Sequence, residues 1–243
     1  GTSNPLLTIS SGLTLDIEGD FLMSGGTLTM ASNAVFDVNG NWNDVAGSFT
    51  PGDGTVKLTA SADQTISCGA ANTFRNLEFS NDGVATNDRT ALTDITVTRD
   101  LDIKNTTRFT IGAVTATINN IFRTLDVDAG AKIRLNDNGS VLIATANMNC
   151  LGEIIFTADG NLNLNGTNNT ITTLTTGGFG TITYAKTTAQ DIAAPTGAYN
   201  NLILDQNSTK TASGNLVVDG NLTFTNSATV SYTHLTLPTT PYV

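Results

Sequence analysis

The chain has 243 residues and a formal net charge of −10, from 11 Lys+Arg against 21 Asp+Glu. Thr (43), Asn (27) and Gly (23) together exceed a third of it, while charged residues are only 13% and aromatics 6%. That composition is poor in the Ala, Leu, Glu, Lys and Arg on which coiled coils and helical bundles are built. It also lacks the clustered positive charge of a nucleic-acid binder, and at 39% apolar residues it is too hydrophobic for a disordered chain.

Read from the N-terminus, short runs alternate apolar and polar residues with a period of two. They include 13–18 (LTLDIE), 36–39 (FDVN), 56–59 (VKLT), 95–98 (ITVT) and 162–165 (LNLN). One face of each run is Val, Leu, Ile or Phe; the other is Thr, Asn, Asp or Lys. This is the pattern of half-buried strands. The runs end at Gly, Asn or Asp, which tolerate tight bends. No stretch of useful length has helical period, and no apolar run reaches the 18 or so residues of a membrane helix.

Repeats decide the architecture. Shifted by 126 residues, segment 36–66 aligns with 162–192 without a gap, with nine of 31 positions identical, among them Gly40/Gly166, Gly54/Gly180 and Gln64/Gln190. The match resumes at 74–77 (FRNL) with 199–202 (YNNL), and at 95–103 with 216–224. Two related units are therefore expected, about 12–105 and 138–229, with a divergent stretch near 106–137. A shorter pattern, apolar-x-Gly-Asn/Asp-apolar, recurs at 17–21, 38–42 and 218–222, the first two 21 residues apart. Its glycines, Gly40 and Gly220, are expected to turn corners with positive φ.

A period near 21 predicts an all-β, single-stranded parallel β-solenoid (β-helix) with rungs of about 21 residues over residues 1–229. About eleven such rungs, each advancing about 4.8 Å, give a rod about 50 Å long. Stacking places like residue above like. Apolar columns then fill the interior, Thr and Asn ladders cover the outside, and like charges are disfavoured because they lie one rung apart. A pair of immunoglobulin-like sandwiches is the competing fold. The nested period and the very short strands oppose it.

The segments Gly54-Thr55-Val56-Lys57-Leu58, Gln64-Thr65-Ile66 and Phe74-Arg75-Asn76-Leu77, with their second copies, resemble the Gly-Thr-Val…Gln-Thr-Ile…Phe-x-Asn-Leu repeats of large secreted or surface-anchored bacterial proteins. Those repeats are similar to the β-solenoid passengers of autotransporters and filamentous adhesins. The second copy departs from the pattern at Asp191, where Thr is usual. The resemblance implies an extracellular or outer-cell-surface location and an adhesive or scaffolding role. Glycans, host or neighbouring cell surfaces, or other copies of the chain are the expected partners. It supplies no catalytic residues.

Residues 230–243 read differently. The run 230–239 (VSYTHLTLPT) resembles a translated sequencing adaptor, so this tail is expected to be non-native read-through and the segment a fragment. The single histidine, His234, lies in it. Without a histidine, His triads, His zinc sites and His general bases are excluded for 1–229. Gly177-Gly178-Phe179-Gly180 lacks the Lys-Ser/Thr of a phosphate loop. Cys68 and Cys150 read as two buried thiols, their pairing left open. Trp42 reads as rung core rather than as a platform for sugars.

Acidic pairs remain. Asp16, Glu18 and Asp20 alternate onto one face, as do Asp100 with Asp102 and Asp126 with Asp128. Carboxylates at i and i+2 hold Ca²⁺ only if neighbouring rungs add oxygens, and β-helix polysaccharide lyases and hydrolases also use such acids. The outer-face reading with nothing bound is preferred. Asp126 and Asp128, flanked by Arg123 and Arg134, are the candidates otherwise. The expectation is a non-catalytic protein with no cofactor, no metal, no nucleic-acid partner and no membrane insertion.

Overall fold

A computed structural model describes residues 4–81, 83, 85–119, 124–231 and 235–236. The described residues are all-β without a helix: parallel strands stack in about ten turns of roughly 21 residues, a β-solenoid. Each turn lays down three short strands, so the coil has three faces.

The first face begins with Leu6–Ile9, Thr27–Met30 and Ser48–Thr50. It continues through 95–97, Thr115–Ile118, Val141–Ala144, Asn161–Leu164, Thr181–Tyr184, Asn201–Leu204 and Leu222–Phe224. The second runs Thr14–Ile17, Val35–Val38, Thr55–Leu58, 76–79, 100–103, Leu125–Val127 and 148–150. The third runs Phe21–Leu22, Trp42–Asn43, Gln64–Ser67, Asp88–Ala91, Arg108–Ile111, Lys132–Leu135 and 153–156.

Alternation explains the core. In Val35–Val38, Thr55–Leu58, Asn161–Leu164 and Thr181–Tyr184 every second side chain is buried and the others are half-buried. The inward residues form one continuous apolar column from Ile9 to Val218. Burying each large aliphatic side chain stabilises the fold by roughly 1.5–3 kcal/mol. Trp42 is fully buried, its ring centroid 4.5 Å from Phe21 and 5.2 Å from both Phe49 and Phe74. Cys68 and Cys150 are buried and unpaired.

The turns vary in length, and this governs where the repeat lands. Thr181 partners Asn201, a step of 20 residues, whereas Arg108 partners Lys132 and Thr115 partners Val141, steps of 24 and 26. Long steps also occur in the first unit, 24 from Trp42 to Ile66 and 25 from Gln64 to Arg89. As a result the second unit does not sit above the first. Asp37 belongs to the ladder Asp37–Lys57–Glu78–Asp102–Asp126–Asn149 on the second face. Its repeat equivalent Asn163 belongs to the ladder Ile143–Asn163–Thr183–Ile203 on the first.

The corner expectation is corrected. Neither Gly40 nor Gly220 has a positive φ. Gly40 is required by close approach instead, since a Cβ there would lie 2.3 Å from the Gly19 carbonyl carbon and 2.4 Å from the Asp20 nitrogen. At Gly220 a Cβ would lie 2.5 Å from the Asn200 carbonyl oxygen. Of the expected tail, Val230 and Ser231 pair with Lys210 and Thr211, and Leu235–Thr236 with Leu216–Val217. His234 and most of the remainder fall outside the described residues, as does Arg123.

Candidate functional site

The outward side chains divide the rod into surfaces of different chemistry. On the first face, two adjacent columns run Thr115–Val141–Asn161–Thr181–Asn201 and Thr117–Ile143–Asn163–Thr183–Ile203–Thr223. Neither contains a charged residue. These side chains, half-buried except for the exposed Thr223, give a flat sheet of methyl, hydroxyl and amide groups. Consecutive rungs repeat them about every 4.8 Å.

The second face carries the charge. Asp16, Asp37, Lys57, Glu78, Asp102 and Asp126 stack in register, one per turn. Lys57 reaches Glu78 at 3.1 Å and Lys104 reaches it at 2.6 Å. Burial works against ionising Glu78, but the hydrogen bonds from Lys104 and Lys57 outweigh it and hold the carboxyl below its usual range. Asp102 moves the other way. Burial raises it, Lys104 opposes, and Asp126, Asp100 and Glu78 add repulsion. A shallow groove of about 180 Å³ opens here, lined among others by Asp53, Asn76, Glu78, Arg99, Asp100 and Asp102.

Asp126 lies on this ladder between Asp102 and Asn149, and its carboxylate accepts a hydrogen bond from the Asn149 side-chain amide at 3.1 Å. Asp128 is exposed just beyond the strand. Arg134 does not serve them, because it lies on the third face and donates to Asp88 at 3.0 Å beside Arg108. Glu18 accepts from the Asn39 amide, and Asp20 from the Asn41 backbone and amide, so these acids tie neighbouring turns together. Among the described residues no group of three or more His, Cys, Asp or Glu is placed to hold a metal ion.

Two buried cations were not legible as such. The Arg89 side chain donates to the backbone carbonyls of Leu58, Ala60, Ala62 and Ser80. Burial lowers its pKa to about 10, which leaves it cationic at neutral pH. Lys210 donates to the Lys186 carbonyl and the Gln190 side chain. Each stands directly above a buried glutamine, Gln64 or Gln190. The signal in the sequence was one turn of spacing, 25 and 20 residues. Their partners are backbone carbonyls and a side-chain amide, so their role is to fasten loops.

No protein-family model matches the chain. No curated protein matches it, and no solved structure does.

Proposed function

We propose that the chain is a β-solenoid of an exported bacterial protein, working at the cell surface or outside the cell as an adhesive or structural rod without catalysis. The observation that carries this reading is the pair of charge-free columns on the first face. From Thr115 to Thr223 they hold Thr, Asn, Val and Ile in a flat, evenly spaced array. Such a surface meets another extended surface at many weak points, with little charge to desolvate. A chain of net charge −10 also brings such a face to a glycan coat, a cell or a second copy with the least repulsion.

The test replaces Ile143 and Ile203 with Lys. Beads coated with the parent should clump or adhere to insoluble cellulose and chitin, and beads coated with the variant should do so at least tenfold less. Equal behaviour, or no adherence by the parent, overturns the reading. A second reading, a β-helix polysaccharide lyase or hydrolase, draws on Glu78 and Asp102, which line one groove on successive turns, with Asp126 next in the same ladder. Against it, Glu78 is engaged by two lysines. Sugar release from polygalacturonate by the parent, lost in Asp102→Asn, would establish it.

A further inference from the structure

We infer that a groove near the C-terminal end of the rod is a binding subsite for a single sugar ring of neutral or amino type. The groove has a volume of about 250 Å³. That is just below the roughly 300–1,000 Å³ of pockets that enclose larger ligands. It is lined by Ile171, Ala193 and Ala194 together with Asn168, Thr170 and Asp191.

Its shape has a local cause. The regular alternation fails at 192–194, where Ile192 and Ala193 are both buried in succession. Two buried tyrosines impose this. The Tyr184 hydroxyl accepts from the Ala193 backbone N–H at 3.0 Å, and the Tyr199 hydroxyl donates to the Ala193 carbonyl at 2.7 Å. The two hydroxyls also contact each other at 2.9 Å. Both backbone groups of Ala193 are thereby held by side chains beneath the surface. Ala193 and Ala194 then floor the groove with methyl groups. The floor is rigid and apolar before any ligand arrives, which lowers the cost of binding.

The rim is polar and free. Among the described residues the side chains of Asn168, Thr170 and Asp191 have no hydrogen bond or ion pair. Neighbouring Asn169 and Ser213 are spent on Met148, Gly166 and Ile192. An apolar floor ringed by an amide, a hydroxyl and a carboxylate matches a pyranose, which has one face of C–H groups and an edge of hydroxyls. Asp191 accepts from vicinal hydroxyls or an ammonium and repels a uronate, which sets the class of sugar. Asp191 is also the residue at which the second repeat departs from Thr65 of the first.

The site stands apart from the first face, so its test is independent of the proposed function. Saturation-transfer NMR uses the full chain with methyl glycosides of glucose, galactose, mannose, fucose, N-acetylglucosamine, glucosamine and galacturonic acid. At least one neutral or amino glycoside should show transfer, and galacturonate should show none. Asp191→Ala, at an exposed position, should weaken binding at least tenfold, as should filling the floor with Ala194→Phe. If the filled variant does not fold, Asp191→Ala alone decides. No transfer from any neutral or amino glycoside, transfer unchanged in Asp191→Ala, or a preference for galacturonate overturns the inference. Bead adherence in Asp191→Ala is measured alongside. Its persistence leaves the proposed rod function standing even if the sugar site fails.

Discussion

Gln64 and Gln190 each hold three equivalent backbone groups, although the two lie on different ladders of the coil. The Gln64 amide donates to the carbonyls of Val38 and Gly40, and its oxygen accepts from the Ala60 N–H. The Gln190 amide donates to Leu164 at 2.8 Å and Gly166 at 2.9 Å, and its oxygen accepts from the Lys186 N–H at 3.1 Å. All three partners are offset by the 126 residues of the repeat. The cation above each then closes the same loop carbonyl, Arg89 on Ala60 and Lys210 on Lys186.

Truncating Gln64 leaves the Gly40 carbonyl and the Ala60 N–H without their partner, and truncating Gln190 leaves the Lys186 N–H alone and takes one acceptor from Lys210, at roughly 1–3 kcal/mol for each unsatisfied group. Val38, Leu164 and Gly166 keep a second donor. Gln64→Ala and Gln190→Ala should each lower stability by about 2–3 kcal/mol in urea melts, with similar values at the two sites. A cost below about 0.5 kcal/mol at one site would show that its staple is ornamental there.

The repeat that revealed these glutamines also shows where sequence reasoning stops. Period and composition were enough for the solenoid, because stacked rungs select Thr, Asn and alternating aliphatics. The placement of the second unit one face around was not legible. It depends on the long steps from Arg108 to Lys132 and from Thr115 to Val141, and a gapless alignment carries no turn lengths. The inward placement of Arg89 and Lys210 was not legible either, since the loop carbonyls that replace water around them come together only in the folded coil. At 192–195 (IAAP) the lapse in alternation was visible in the sequence. Its meaning needed Tyr184 and Tyr199, which approach it only in three dimensions.

Gly40 tests the corrected corner. Its backbone needs no positive φ, so the penalty for a side chain arises from contact with Gly19 and Asp20 one turn below. Gly40→Val should cost about 1–3 kcal/mol, as overpacking does. Ser48→Val, at an exposed strand position, should stay within about 0.5 kcal/mol. Gly40→Ala separates the causes: contact penalises even one methyl at this distance. Equal melts for Gly40→Ala and the parent would remove the contact argument.

Two acids should drive stability in opposite directions with pH. Asp44 is fully buried, and that burial raises its pKa against the opposing hydrogen bonds from Gly69 and Asn72. A raised folded pKa gives stability that is present at low pH and is lost as pH rises through it. Asp44→Asn mimics the protonated acid, so its melting temperature should exceed the parent's at pH 7 and converge with it near pH 3–4. Glu78 is held low by its lysines. Its contribution is present above the unfolded pKa and is lost as pH falls through the folded one. Both lysines are about a third exposed, so Glu78→Gln should cost no more than about 1 kcal/mol at pH 7, and the gap should close in acid. Parallel pH profiles for parent and variant would refute either assignment.

Asp126 and Asp128 decide between a bare surface and an ion site. Asp126 follows Asp102 in the ladder, about one strand spacing away, and among the described residues its carboxylate accepts from the neutral Asn149 amide. Calcium wants six to eight oxygens, and two carboxylates with an amide fall short of that. Replacing both acids with Asn removes repulsion between partly solvated groups. The double variant should therefore melt at the parent temperature or slightly above it. Calcium at millimolar concentration should shift neither protein, and chelator should shift neither. An ion whose dissociation constant is about one hundredth of its free concentration would stabilise the parent by about 2.7 kcal/mol, a displacement that thermal melts resolve easily. A chelator-sensitive melt present in the parent and absent in the double variant would make this ladder a calcium site. A chelator-sensitive melt that survives in the double variant would place the ion elsewhere on the rod.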